Sequence, residues 1–144
     1  MIIALGTMIY LGILAVMDAR KRELPAWLLL AGSVAAILAA VWFLANEGVT
    51  WVGLILGAVP GGILLALAGI GGGAGAGDGI VLLQVNMLLL LDKAVIAFAL
   101  SLMLMGIFSA ALLLLKKGTK DTRLPYVPFL WLGCLGAFCI CGIT

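Results

Sequence analysis

The sequence contains no histidine, and this absence excludes several kinds of catalytic site at once. A Ser-His or Cys-His nucleophile pair and an H-E-x-x-H zinc site all require at least one imidazole. If the chain hydrolyses peptides, the residues that remain permit aspartyl chemistry, in which two carboxylates activate a water molecule. Neither a cofactor nor a metal ion is expected for chemistry of that kind.

Charged side chains are scarce as well. Only 10% of the 144 residues are charged, whereas 66% are hydrophobic and the mean hydropathy is +1.38. A water-soluble domain of this size cannot bury so much apolar surface, so the composition predicts a membrane protein. The basic residues occur in short clusters with few aromatic residues nearby, and this pattern does not indicate a nucleic-acid partner.

Cysteine is limited to three residues, Cys134, Cys139 and Cys141, all in the last apolar run. Their spacing contains no C-x-x-C pair, so it indicates neither a zinc site nor a disulfide framework. We interpret them as small apolar packing residues, which is the usual role of a buried free cysteine.

Long apolar runs make up most of what is present. Because about 20 apolar residues cross a bilayer, the sequence predicts an all-α, six-transmembrane-helix bundle that forms a single domain over residues 1–144. The first run lacks a basic n-region and a small-residue cleavage site, so we expect a retained span and not a signal peptide. The predicted spans are Ile2–Met17, Ala26–Ala45, Trp51–Ile70, Ile80–Leu91, Ala94–Leu115 and Leu124–Ile143.

Proline and basic residues add two expectations to this scheme. The triplet Pro60-Gly61-Gly62 predicts a kink or a break in the third span. If successive loops alternate sides, seven basic residues lie on one side of the membrane and only Lys93 lies on the other, which is a positive-inside pattern. It predicts a multi-pass cytoplasmic-membrane protein with both chain ends outside. The seven residues are Arg20, Lys21, Arg22, Lys116, Lys117, Lys120 and Arg123.

Two aspartates fall at the predicted cytoplasmic edge, although they are 60 positions apart (78 − 18) in the sequence. Asp18 ends the first apolar run, and Asp78 follows the glycine-rich stretch 71–77. Glycine lets another chain approach the backbone closely, and a carboxylate at the edge of hydrocarbon is costly enough to indicate a function. Two carboxylates at short range do not ionise together easily, so one can act as a base and the other as an acid. Which of them is the base stays open.

Each of these features also has a simpler interpretation. An aspartate beside a basic cluster is most often a solvated surface charge, and a glycine-rich segment is most often a loop or a close helix contact. We interpret Glu47, Asp92 and Asp121 as solvated charges in loops. Two other classes of function therefore stay open, a small proton-coupled membrane transporter and a membrane scaffold without enzymatic activity.

Three segments, in this order along the chain, resemble the motifs of the type IV prepilin peptidases. Residues 18–25 (DARKRELP) resemble the D-x-(basic)-x-I/L-P segment of that family, and residues 75–78 (GAGD) match its G-x-G-D motif. Residues 124–130 (LPYVPFL) are similar to its late I-P-[FY]-x-P-[FY]-L segment. From the first to the last, the three segments are distributed over residues 18–130 of the 144.

The resemblance implies a membrane aspartyl endopeptidase whose catalytic aspartates correspond to Asp18 and Asp78. Such an enzyme cleaves the basic leader peptide from type IV prepilins or pseudopilins at the cytoplasmic face, so its partners are a prepilin substrate and the lipid bilayer. We expect five further motif residues to shape the approach of the substrate. They are Gly75, Gly77, Pro25, Pro125 and Pro128.

The chain also departs from the family pattern. Ile80 stands where a basic residue is frequent, and Ala26 stands where asparagine is frequent, so the resemblance leaves the substrate preference open. The segment with paired cysteines that full-length bacterial members carry does not precede the first motif, and N-methyltransferase activity is therefore not expected. Presenilin-like proteases share G-x-G-D but combine it with P-A-L, where this chain has Leu124-Pro125-Tyr126.

Overall fold

The structure, a computed structural model, describes residues 2–21, 24–70, 75–115 and 124–142, and the side chain of Leu90 lies outside this description. Every regular element in these residues is an α-helix, as the sequence predicts. The helices are α1 (Ile2–Lys21), α2 (Ala26–Asn46), α3 (Trp51–Gly69), α4 (Ala76–Leu114) and α5 (Val127–Cys141).

Local sequence signals explain where two of these helices begin. Pro25 is extended and lies immediately before α2, and its carbonyl accepts the N–H groups of Leu28 at 3.1 Å and Leu29 at 3.2 Å. Thr50 precedes α3, and its side-chain oxygen accepts the N–H of Gly53 at 3.3 Å. Both contacts satisfy backbone groups that the first turn of a helix leaves without an intrahelical partner.

The helix α4 is 39 residues long, which corresponds to about 58 Å, or roughly twice the thickness of a hydrocarbon core. Its two arms, Ala76–Leu89 and Leu91–Leu114, run in opposite directions. The second arm is antiparallel to α5, because Lys93 lies over the Phe138 ring at 5.6 Å, and Phe108 lies 5.4 Å from Phe129 between ring centroids.

The position of the first arm requires the chain to turn back on itself. Asp78 lines a cavity together with Pro125, which lies just before the start of α5. Ser101, in the second arm, also contacts the start of α5, because its hydroxyl lies 3.1 Å from the hydroxyl of Tyr126. A straight helix would hold Asp78 and Ser101 about 35 Å apart. The chain therefore reverses between the two arms of α4.

The prediction of a loop at Asp92-Lys93 was wrong in one respect. Both residues belong to the helical backbone of α4. Asp92 is nevertheless exposed, as is Glu47 beyond the end of α2, and both agree with the interpretation of solvated charges. Asp121 lies outside the described residues.

Counted by arms, the described part of the chain forms six apolar segments that alternate in direction. Four of them are long and apolar enough to cross a membrane, namely α1, α2, α3 and the second arm of α4. The first arm of α4 and α5 are apolar but shorter. The apolar helices thus indicate a membrane protein, as predicted, and the count of six crossings remains a prediction.

The prediction of a kink or a break at Pro60 was wrong as regards a break, since α3 stays helical from Trp51 to Gly69, and the kink remains a prediction. Close packing along α4 supports the helix at this point. A Cβ atom added at Gly61 would lie 2.6 Å from Cγ and 2.8 Å from the backbone nitrogen of Leu83. The interhelical contact therefore holds α3 in place, although Pro60 cannot donate a backbone hydrogen bond.

The core lies where α1, both arms of α4 and α5 meet. Cys134 is fully buried in it, which confirms its interpretation as a packing residue. Cys139 is exposed and Cys141 is only partly covered, so the same interpretation was wrong for Cys139, which faces the outside of the bundle. Other fully buried core residues are Leu11, Leu14, Val81, Leu82, Val85, Val127 and Leu130.

Two of the seven basic residues that define the predicted cytoplasmic side are described. Arg20 and Lys21 occupy the last turn of α1, at the same end of the bundle as Asp18. The other five, Arg22, Lys116, Lys117, Lys120 and Arg123, lie outside the described residues. The sidedness of the protein therefore remains a prediction.

Candidate active site

Asp18 is a nearly buried carboxylate close to the end of α1, with 7% of its surface exposed. Its Oδ2 atom accepts a hydrogen bond of 3.2 Å from the backbone N–H of Val127, which lies 109 residues away. Val127 is the first residue of α5, and the N–H groups at a helix start lack intrahelical partners and favour negative charge. The contact therefore joins the first and last helices at a polar point inside apolar surroundings.

The start of α5 depends on Asp18 because its own residues supply no side-chain cap. Tyr126 occupies the N-cap position without a capping hydrogen bond, and Pro128 follows in the first turn without an N–H to donate. The Tyr126 hydroxyl instead lies 3.1 Å from the Ser101 hydroxyl, which ties this turn to the second arm of α4. Asp18 thus provides from another helix the acceptor that an N-cap side chain normally provides.

Asp78 lies in the first turn of α4 and is partly buried. Its backbone N–H donates to the Gly75 carbonyl at 3.0 Å. A Cβ atom at Gly75 would lie 3.2 Å from Asp78 Oδ2, so glycine leaves room for the carboxylate beside the helix start. A Cβ atom at Gly77 would lie 2.9 Å from Leu24 Cδ1, so this glycine lets Leu24 pack on the same turn.

Asp18 and Asp78 line one cavity of about 370 Å³ and interact electrostatically. The structure therefore brings together the two carboxylates that the sequence analysis paired. The other residues that line the cavity are Leu24, Leu29, Gly75, Ala76, Gly77, Ile80, Leu124 and Pro125.

Two of the predicted site residues serve the helices and do not line this cavity. Pro25 is the residue before α2, where its carbonyl caps the first turn. Pro128 lies within the first turn of α5. Among the described residues, Pro125 is the proline at the cavity wall, and the role of Pro25 and Pro128 in the approach of the substrate remains a prediction.

Sequence reasoning missed two contributors to the site. Leu29 forms part of the cavity wall, and nothing distinguishes it from the other leucines of α2. The N–H of Val127 is a backbone group, so no side-chain pattern could have indicated it. Ile80, which was noted only as a departure from the family pattern, also lines the cavity and makes its wall apolar at that point.

The cavity combines two acidic groups with mostly apolar walls. Such a site can hold an uncharged peptide segment and a water molecule beside the carboxylates, which would share one proton between them. In the part of the chain that the structure describes, no three or more His, Cys, Asp or Glu side chains come together as a metal-ligand set.

Comparisons with protein-family models, with curated proteins and with solved structures find no match to the chain. The molecule is therefore classified by its own features. In the residues that the structure describes, every regular element is a helix, four apolar segments are long enough to cross a membrane, and two carboxylates from distant parts of the sequence share one cavity.

Proposed function

We propose that the protein is a membrane aspartyl endopeptidase of the prepilin peptidase type. It removes the basic leader peptide from type IV prepilins or pseudopilins at the cytoplasmic face of the membrane, and its six segments all cross the bilayer. The observation that carries the proposal is the shared cavity of Asp18 and Asp78, which belong to different helices and to different motifs of the resemblance.

In the proposed reaction, one carboxylate is ionised and the other is protonated. The ionised group removes a proton from water while the water oxygen attacks the carbonyl carbon of the scissile peptide bond. The protonated group donates to the carbonyl oxygen, which takes up the developing negative charge. The C–N bond of the resulting tetrahedral intermediate then breaks, and the leaving nitrogen receives a proton from the carboxylate pair.

The shape of the cavity suits the substrate of such an enzyme. Gly75 carries no side chain beside the Asp78 carboxylate, so an extended backbone can approach the carboxylate there, whereas Leu24 fills the corresponding space at Gly77. Leu24, Leu29 and Ile80 offer apolar walls to the apolar residues that follow a prepilin leader. The negative carboxylates favour a leader that carries positive charge.

One observation favours a second candidate function, that of a scaffold. The hydrogen bond from Val127 to Asp18 is what a carboxylate with a purely structural role would also make. A transporter is favoured less, because the two carboxylates lie at one end of the helices and not near the middle of the bundle. The experiment must therefore separate the charge of Asp18 from its hydrogen bond.

The test compares Asp18→Asn and Asp78→Asn with the wild type in cells that also express a prepilin. Asparagine has nearly the shape of aspartate but cannot act as a base, and at position 18 its oxygen can still accept the Val127 N–H. We therefore expect each variant to insert normally. Each should lose leader cleavage by about 10²- to 10⁴-fold, the usual contribution of an acid or base. The measurement is the shift of the prepilin band on a gel, normalised to the amount of enzyme in the membrane.

Asp92→Asn is the matched control, because Asp92 is an exposed carboxylate in the part of α4 beyond the reversal. It should cleave at the wild-type rate. Wild-type cleavage by correctly inserted Asp18→Asn or Asp78→Asn protein would refute the catalytic assignment. Solute uptake in liposomes without any leader cleavage would favour the transporter instead.

A further inference from the structure

Gln84 is a buried polar residue in the first arm of α4, with 2% of its surface exposed. Its Nε2 group donates to the carbonyl of Leu29 at 2.7 Å and to the hydroxyl of Ser33 at 2.8 Å. Its Oε1 atom accepts the hydroxyl proton of Tyr10 at 2.7 Å. One side chain thus joins α4 to α2 and to α1.

The hydrogen bonds of this cluster are well matched. Both N–H groups of the Gln84 amide have acceptors. The Ser33 hydroxyl, in turn, donates a hydrogen bond of 2.9 Å to the Leu29 carbonyl. Among apolar helices, a polar group without a partner is costly, so a saturated cluster fixes the helices that contribute to it. Tyr10 completes the cluster from α1, with the Leu28 carbonyl also 3.3 Å from its hydroxyl.

Tyr10 of α1 packs closely on Gly32 of α2 at this cluster, and beyond it the two helices are less tightly packed. An apolar cavity of about 460 Å³ separates the two helices on the side away from the aspartates. Tyr10 and Gly32 form the part of its wall next to Gln84. The position of α2 at this level is therefore set by the hydrogen bonds to Gln84 together with the contact of Tyr10 on Gly32. The other lining residues are Ile3, Gly6, Thr7, Ala35, Leu38, Ala39 and Leu88.

Leu29 connects the cluster to the candidate active site. Its carbonyl accepts the hydrogen bond from Gln84, and the same residue lines the cavity of Asp18 and Asp78. Gln84 follows Asp78 by six residues on the same helix, or about 9 Å of axial rise. The first arm of α4 thus carries both Asp78 and Gln84, the residue that holds Leu29 in the cavity wall.

We propose that Gln84 is a positioning residue that holds α2 against α4, so that Leu29 closes the cavity beside the two carboxylates. Gln84 does not touch the reacting atoms and acts through the wall that aligns the substrate. The inference rests on the proposed peptidase function for its kinetic consequences. Its structural consequence, the position of Leu29, does not depend on that function.

The first experiment measures the structural consequence in the full-length protein. Leu29→Cys is introduced after Cys134, Cys139 and Cys141 have been replaced by alanine, and the reaction rate of the new thiol with a water-soluble methanethiosulfonate reagent is followed. Gln84→Met keeps the length of the side chain but removes all three hydrogen bonds. We expect Gln84→Met to raise the reaction rate at position 29 by about tenfold, because the wall then separates from α4.

Thr7→Val is the matched control for this experiment. Thr7 is a buried polar residue whose hydroxyl donates at 2.8 Å to the Ile3 carbonyl of its own helix. Loss of this hydroxyl breaks no hydrogen bond between helices. The reaction rate at position 29 should therefore equal that of the Leu29→Cys protein with Thr7 intact. An unchanged rate in folded Gln84→Met protein would overturn the proposal, whether or not the protein cleaves prepilins.

The second experiment measures leader cleavage by Gln84→Met in the background with its native cysteines. Small misplacement of a substrate costs up to about 10²-fold in rate, so kcat should fall by about 10- to 100-fold. A kcat within threefold of wild type would contradict a positioning role. If the wild type cleaves no prepilin, the proposed function fails, and the reaction rate at position 29 still decides the role of Gln84.

Discussion

At the scale of single residues, Asp18 combines two demands that pull in different directions. A nearly buried carboxylate is stabilised by the Val127 N–H, yet a catalytic carboxylate must also exchange protons with water. The geometry accommodates both, because one oxygen faces the helix start while the residue also lines the cavity. Substitutions at Asp18 should therefore affect stability and activity separately.

We predict that Asp18→Ala lowers the free energy of unfolding by about 1–3 kcal/mol, the usual cost of losing a hydrogen bond to a charged group. Asp18→Asn should lower it by less, since an amide oxygen still accepts the Val127 N–H. Thermal unfolding of both purified variants in the same detergent measures the difference. Equal melting temperatures for the alanine and asparagine variants would show that the hydrogen bond does not support α5.

The pairing of the two carboxylates is the part of the site that the sequence could predict, and their setting is the part that it could not. Asp18 and Asp78 are acidic residues within recognisable sequence motifs, so the sequence alone indicates their chemistry. The N–H of Val127 and the wall formed by Leu29 depend on how helices meet, which no local pattern encodes. Gln84 did leave a signal, because a polar residue inside an apolar run calls for a partner.

At the scale of elements, α3 and the first arm of α4 pack through reciprocal glycine–leucine contacts. Gly61 of α3 accommodates Leu83, and Gly79 of α4 accommodates Leu65. A Cβ atom at Gly79 would lie 2.7 Å from Leu65 Cγ. Small residues of this kind let helix backbones approach closely where lipid provides no hydrophobic driving force.

Gly61→Ala and its neighbour Gly62→Ala form a matched pair for this interface. The Gly61 site has no space for a methyl group, so we predict a loss of about 1–3 kcal/mol from overpacking. Gly62 has nothing within 4 Å of an added Cβ, and alanine is the better helix former by about 1 kcal/mol, so its stability should be unchanged or higher. Melting temperatures in detergent give both values, and a Gly62→Ala variant less stable than Gly61→Ala would contradict the packing.

The helices themselves were largely predictable from apolar runs of the right length, and the errors have physical causes. A kink or a break was expected at Pro60 because proline removes a hydrogen bond, but α3 does not break there, and the Gly61 contact with Leu83 supports the helix. A loop was expected at Asp92 because charges favour solvent, whereas the exposed helix surface there already solvates the carboxylate. Both errors arose because local propensity yields to packing between elements.

At the scale of the whole molecule, alternation of the segments places Asp18 and the start of α4 at one end of the bundle. The end of α2 and the reversal of α4 lie at the other end. If all six segments cross the membrane, the acidic cavity and the exposed Asp92 face opposite compartments. The first arm of α4 and α5 are too short for their lengths to decide whether they cross the membrane. Labelling from each side of the membrane is therefore the test.

We predict that cysteines introduced in place of Glu47 and Asp92 are labelled from outside intact cells, and that one in place of Arg20 is labelled only after the membrane is opened. All three positions are exposed, and the first two lie at the end opposite Arg20. A membrane-impermeant maleimide applied to variants without the native cysteines provides the measurement. Labelling of positions 20 and 92 from the same side would contradict the six-crossing arrangement.

The hydrogen bond between Asp18 and Val127 also has a consequence for biosynthesis. Asp18 enters the membrane early in translation, whereas α5 emerges from the ribosome after the other four helices. Until α5 is inserted, the carboxylate lacks its donor and the cavity lacks the wall formed by Leu124 and Pro125. Under the proposed function, a nascent chain that lacks α5 is therefore an incomplete protease, and its activity begins only when α5 has docked.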